Sequence, residues 1–324
     1  MLIDLTLIVA GLALLFFGGE ALIRGAVSLA KKLGLPTLII SLTVVGFGTS
    51  MPEFLVSLRA AYAGSPDIAL GNVIGSNTAN ILFILGLCIL VAPIDKYDAG
   101  ARANMVKATV VALVMMAISL TSSELSRMYG AILFAGLIAY IIYSYIVGRK
   151  QTAAANAAGE VDETLAAAPL SGLLTAGYLA IGFALLFGGA ELLVRGAVSI
   201  ARDVGISEAV IGLTIVAVGT SLPELAASMV AAIKRQGDVA IGNIIGSNIF
   251  NILGILGIAS MVKPISISPN FPAFDIPVMV LASVALLIVL LAKWPLGRIV
   301  GAVFMAGYVA YTLALANGVT SFGL

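Results

Sequence analysis

Residues 11–86 align with residues 182–257 without a gap, and 41 of the 76 positions are identical. Ala-Leu-Leu-Phe at 13–16 returns at 184–187, Arg-Gly-Ala-Val-Ser at 24–28 returns at 195–199, and Gly-Asn-x-Ile-Gly-Ser-Asn at 71–77 returns at 242–248, always 171 positions on. Duplication of this strength constrains the fold more than any other feature, because two like stretches of chain make two like units.

The units belong in a bilayer. Of the 324 residues, 61% are apolar and 10% charged, and the mean hydropathy is +1.14; soluble domains carry about 25% charged residues. A membrane span needs roughly 20 apolar residues. Ten such runs lie near 5–30, 37–64, 69–92, 104–121, 128–147, 173–200, 208–233, 240–262, 275–293 and 297–317. Equivalent positions are five spans apart, and five is odd, so the copies cross the membrane in opposite directions. The expected fold is an all-α membrane protein of ten transmembrane helices arranged as two inverted five-helix repeats. Residues 1–150 and 170–324 form the repeats, and the Ala-rich, acidic stretch 151–169 (Glu160, Asp162, Glu163) joins them.

Lysine and arginine set the orientation. With both termini outside, the inner loops hold eleven (Lys31, Lys32, Lys96, Arg102, Lys107, Arg149, Lys150, Lys234, Arg235, Lys293, Arg298), against four outside (Arg59, Arg127, Arg202, Lys263). The linker is then cytoplasmic. The N-terminus lacks the basic start and small-residue cleavage site of a signal peptide, so its apolar run reads as the first span of a multi-pass cell-membrane protein. A net charge of +1 offers no basic face for nucleic acid. The single cysteine, Cys88, excludes an internal disulfide and a cysteine metal site, and the absence of histidine removes the usual zinc ligand. Ligation falls to oxygen.

The most polar stretches within the spans are also the most closely repeated. Gly48-Thr49-Ser50-Met51-Pro52-Glu53 matches Gly219-Thr220-Ser221-Leu222-Pro223-Glu224. An acid at membrane depth costs about 2.5–3.5 kcal/mol on insertion scales and marks function. The proline before each glutamate removes a helix hydrogen bond and bends the chain. Carbonyls freed at a bend, a carboxylate and two hydroxyls make an oxygen-lined cavity for a hard cation. In the second stretch, Asn72, Ser76 and Asn80 share one helix face, as do Asn243, Ser247 and Asn251. Two carboxylates with neutral oxygens balance one Ca²⁺ or two Na⁺. Small residues such as Gly71 and Gly75 also serve as helix-packing glue. Glu20 and Arg24, with Glu191 and Arg195, read as ion pairs or snorkelling ends, a gating role being the alternative. Tyr140, Tyr143, Trp294 and Tyr308 read as interface anchors.

At these residues the chain resembles the sodium/calcium exchangers of the cation/calcium antiporter superfamily, whose two hallmark repeats contain Gly-Thr-Ser-x-Pro-Glu and Gly-Asn-x-x-Gly-Ser-Asn. Both stand here in both halves. The resemblance implies that Glu53, Glu224 and the backbone oxygens of Thr49 and Thr220 hold Ca²⁺. It implies that Na⁺ uses the glutamates, Ser50, Ser76, Ser221 and Ser247, with the carbonyls of Gly46 and Ala217 nearby. Asn80 and Asn251 complete the set, and the first and sixth helices slide to alternate access. No cofactor beyond the transported ions is implied, and one chain is expected to suffice. Some exchangers carry aspartate where this chain has Asn251, which leaves two carboxylates in the cage. Potassium-dependent or proton-coupled calcium exchange is the runner-up, although the proton branch favours a glutamate where this chain has Gly-Ser-Asn. An intramembrane hydrolase would need a histidine, a catalytic lysine or paired aspartates at depth. A channel would need weak binding rather than a charged central cage.

Overall fold

The computed structural model describes residues 2–94, 97, 99–157, 169–203 and 217–319. These residues are almost wholly helical: α1 Leu2–Leu33, α2 Thr37–Thr49, α3 Met51–Ala63, α4 Pro66–Val91, α5 Ala99–Thr121, α6 Arg127–Ala157, α7 Gly172–Asp203, α8 Ala217–Thr220, α9 Leu222–Ile233, α10 Gly237–Val262, α11 Phe271–Leu291 and α12 Arg298–Ala316. Eight are long and apolar enough to cross a bilayer, and α2 with α3, bent by 48°, makes a ninth. Of the expected run 208–233, α8 and α9 are seen; 208–216 lies outside the described residues, as do Lys96 and the linker acids Glu160, Asp162 and Glu163. One short ladder, β1 Glu124–Leu125 against β2 Ile265–Ser266, ties the two halves together at a loop.

α6 runs to Ala157, beyond the end of its apolar run. The residues that extend it, including Ala153, Ala154, Ala155 and Ala157, are strong helix formers that keep the turn going once the bilayer residues stop. The linker therefore begins as helix.

Polarity is distributed inside out. Phe16, Phe17, Ile132, Leu281 and Ile299 are exposed, whereas Ser50, Glu53, Asn77, Asn80, Glu224, Asn243, Ser247 and Asn251 are buried. Lipid accepts the apolar faces, and backbone and side-chain polar groups must find partners within the protein. α4 and α10, which carry the repeated Gly-Asn stretches, lie at the centre.

α1 and α7 pack along a seam of glycines. Gly11, Gly18 and Gly25 recur every seven residues, and Gly182, Gly189 and Gly196 repeat them. A Cβ on Gly11 would lie 2.7 Å from the Gly189 carbonyl, and one on Gly189 would lie 2.8 Å from that of Gly11. Gly182 meets Leu22, and Gly196 meets the Asp4 carbonyl. As residue numbers rise along α1 their partners fall along α7, so these two equivalent helices run antiparallel. Close backbone approach through small residues holds such pairs together in lipid.

Candidate ion site

Two matched breaks create the site. Ser50 (φ −82°, ψ 10°) and Ser221 (φ −91°, ψ 7°) interrupt their helices in the same way, and Pro52 and Pro223 sit in the first turns of α3 and α9. Proline is at home there, where its missing N–H has no helical partner to bond. Glu53 and Glu224 follow in the same first turns, where helix N-termini favour negative charge. Both are 1% exposed.

The two halves brace each other across this centre. Ser50 Oγ donates to Glu224 Oε1 at 2.8 Å, and Ser221 Oγ donates to Glu53 Oε1 at 2.9 Å. Asn72 Nδ2 ties the Glu53 carbonyl at 3.0 Å and the Ser57 hydroxyl at 2.8 Å; Asn243 Nδ2 ties the Glu224 carbonyl at 3.3 Å and Ser228 at 3.0 Å. These asparagines fix the backbone beneath each acid. Thr49 Oγ1 donates to Asn243 Oδ1 at 3.1 Å, and Ser247 Oγ donates to the Gly46 carbonyl at 3.2 Å. Gly46 permits this approach, since a Cβ there would stand 2.8 Å from the Ser247 nitrogen.

Asn77 and Asn248 do work that the helix-face spacing of the sequence conceals. Each donates its amide to the other's backbone carbonyl at 3.1 Å. The side-chain oxygen of Asn77 then accepts from Asn251 Nδ2, and that of Asn248 from Asn80 Nδ2, both at 2.9 Å. With their nitrogens committed, Asn80 and Asn251 present only oxygen elsewhere. The helix widens at these residues: Asn80–Leu85 and Asn251–Leu256 are π-helical, a geometry frequent at functional sites.

Among the described residues, six buried side-chain polar atoms have no hydrogen-bond partner, and four of them are acceptors here: Glu53 Oε2, Glu224 Oε2, Asn80 Oδ1 and Asn251 Oδ1. Buried acceptors are almost always satisfied. Two carboxylate and two amide oxygens are left over in matched pairs, and oxygens of these kinds are the ligands hard cations take. No group of three or more His, Cys, Asp or Glu able to hold a metal occurs among the described residues.

The other expected residues fall around this centre. Ser76 and Ser221 line a cavity of about 290 Å³ that also touches Asn72 and Asp275. Thr220 lines a second, of about 370 Å³, between α3 and α7. Ala217 begins α8, but its side chain lies outside the described set. At the equivalent place in the other half, α1 packs closely on α9, where a Cβ on Gly19 would lie 3.2 Å from the Ala226 carbonyl. There Lys234 Nζ reaches Glu20 at 2.6 Å, and Arg24 holds the same carboxylate oxygen at 2.7 Å. Glu191 pairs with Arg195.

Two expected interface anchors turn inward. Tyr140 is half-buried with its hydroxyl directed at Asn104, and Tyr308 stacks on Phe83 and lines the cavity beside Ser76. An aromatic run at a span's end reads the same whether it faces lipid or a cavity. Tyr143 and Trp294 are exposed as expected. Asp275 was concealed by its place at the very edge of an apolar run.

Comparison with known proteins shows the family. The family model described as sodium/calcium exchanger protein matches residues 3–146 and 174–316. The chain is 36% identical over 318 residues to the putative antiporter CaxA of Alkalimonas amylolytica, covering 97% of this chain and 99% of that one. It is 32% identical over 347 residues to the sodium/calcium exchanger MaX1 of Methanosarcina acetivorans, covering 97% and 98%. Its fold superposes on the sodium-calcium exchanger NCX_Mj, soaked with zero Na⁺ and Ca²⁺, with a TM-score of 0.83 at 30% identity over 97% of this chain and 99% of that one. The chain therefore belongs to the sodium/calcium exchanger family, and is a multi-pass membrane antiporter of ions rather than an enzyme.

Proposed function

We propose that this chain exchanges Na⁺ for Ca²⁺ across the cell membrane by alternating access to one cage formed between its halves. Glu53 and Glu224 supply the charge. Asn80, Asn251, Ser50, Ser76, Ser221 and Ser247 supply neutral oxygens, with the backbone oxygens of Thr49, Thr220, Gly46 and Ala217 around them. The observation that carries the reading is the matched set of four buried, unpartnered acceptors, two from each half. Two negative charges balance one Ca²⁺ or two Na⁺, so either cargo fills the cage and the two compete. Exchange follows if the protein switches only when the cage is filled.

The chain is read as ten helices in two inverted repeats, with both termini outside, the linker cytoplasmic, and a single chain sufficient. Antiparallel packing of α1 against α7 supports the inversion, and the eleven-to-four distribution of Lys and Arg supports the orientation. On that orientation the α3–α7 cavity opens outward, while the α1–α9 contact and the Glu20–Lys234 pair close the cytoplasmic side. The α1–α7 pair, held together by its glycine seam, is the element that slides over the rest.

Calcium uptake into proteoliposomes driven by an outward sodium gradient tests the reading, run with and without potassium and with a proton uncoupler. Uptake that needs sodium and ignores both additions supports it. Uptake that needs potassium, or that collapses with the uncoupler, replaces it with potassium- or proton-coupled exchange.

A further inference from the structure

Asp275 is an acid near the start of the apolar span Phe271–Leu291 that the four-acceptor cage leaves out. It stands at the start of α11, where Tyr311 Oη donates to its Oδ1 at 2.8 Å. It is half-buried and faces the cavity of about 290 Å³ whose walls also include Asn72, Ser76 and Ser221. The cavity thus joins this carboxylate to two hydroxyls of the proposed cage. No lysine or arginine among the described residues lines it.

The other half shows what a merely structural residue looks like at this place. Asn104 and Tyr140 stand 171 positions before Asp275 and Tyr311, with the Tyr140 hydroxyl 3.5 Å from Asn104 Oδ1. There the side chain is a neutral amide, buried, and its oxygen also accepts from Lys107 Nζ at 3.0 Å. An amide meets the packing needs of the tyrosine pair, so packing does not explain why the second half carries a charge facing a cavity. Intramembrane acids are expensive and line ion pathways.

We propose that Asp275 forms a cation-collecting vestibule site, which concentrates Na⁺ and Ca²⁺ in the cavity leading to Ser76 and Ser221; this rests on the cage reading above. Nearby, Ser268 Oγ donates to Asp67 Oδ1 at 2.5 Å, which ties the segment before α11 to the first turn of α4. A fixed negative potential enriches a cation by a Boltzmann factor whose exponent is proportional to its charge. Whatever factor applies to Na⁺ is therefore squared for Ca²⁺.

Asp275→Asn tests this, because the amide oxygen still accepts from Tyr311 and only the charge is lost. At low ionic strength the half-saturating concentration should rise about threefold for Na⁺ and about tenfold for Ca²⁺, with the maximum rate unchanged. Both factors should shrink towards one in roughly 0.5 M choline chloride, where charges are screened, and Asp275→Glu should restore wild-type values. Unchanged half-saturation, equal factors for the two ions, or a salt-insensitive defect would overturn the vestibule. Glu53→Gln, run in parallel, separates the two readings. If it is inactive while Asp275→Asn behaves as wild type, the cage stands and the vestibule falls; if it is active, the cage falls as well.

Discussion

Asn77 and Asn248, equivalent residues of the two halves, each donate a side-chain amide to the other's backbone carbonyl at 3.1 Å. This reciprocal clasp sets the amides of Asn251 and Asn80 and leaves their oxygens unpartnered. The clasp has a specific consequence. Asn77→Ala frees the Asn251 amide to rotate, which should weaken apparent Ca²⁺ affinity about tenfold, the worth of one buried hydrogen bond of about 1–1.5 kcal/mol. In an Asn251→Asp background the same change should cost little, because a carboxylate presents oxygen on both branches. Calcium titration of sodium-driven uptake in the four proteins checks this. Equal losses in both backgrounds would assign Asn77 to packing alone.

The Glu20–Lys234 contact is one-sided. The position matching Lys234 in the first half is Ala63, so Glu191 has no lysine at the corresponding place. On the proposed orientation the pair favours the outward-facing state. Both side chains are partly exposed, at 22% and 34%, so solvent screens the pair and its effect is small. Lys234→Gln should therefore shift the resting population inward by no more than about fivefold. Thiol accessibility of a cysteine at Leu55, in a Cys88→Ser background, reads the shift: labelling from outside should slow. Unchanged or faster labelling would remove the latch.

The glycine seam should tolerate no bulk. A side chain at Gly189 would meet the Gly11 carbonyl, the Leu15 nitrogen at 2.8 Å and the Leu14 side chain at 3.0 Å, two of which are backbone. Gly189→Leu must push α1 from α7, whereas Gly188→Ala, with nothing within 4 Å, meets open space. Uptake assays on protein of normal elution profile should show severe loss in the first and near-normal rates in the second. Normal transport by Gly189→Leu would mean that the seam is not a working contact.

Much of this was legible from residue order. The repeat, the apolar runs and the two glutamates stand in short local motifs, which is why the two halves, the spans and the matched breaks beside each acid could be read from them. The clasp was not legible, because Asn77 lies off the face shared by Asn72, Ser76 and Asn80, and its partner is 171 residues away in the other half. Tyr308 and Asp275 escaped for a related reason. At the end of a span, sequence does not say whether a side chain meets lipid, headgroup or an internal cavity. The glycine seam could have been found, since a seven-residue recurrence repeated in both halves is a packing pattern visible without coordinates.

The linker offers a test of topology. A cysteine replacing Glu160, in a Cys88→Ser background, should resist impermeant thiol reagents applied to intact cells and react once the membrane is opened. Rapid labelling of intact cells would reverse the assigned orientation.

The cage itself is tested most directly by removing one of its charges while keeping its shape. Glu53→Gln and Glu224→Gln each leave an acceptor for the serine of the other half, Ser221 or Ser50, yet halve the negative charge available to a divalent ion. Sodium-gradient-driven Ca²⁺ uptake into proteoliposomes, measured for each variant beside the unaltered protein at matched reconstitution, should fall at least about a hundredfold, a loss of roughly 2.7 kcal/mol or more. Calcium flux at the unaltered rate in either variant would contradict the site.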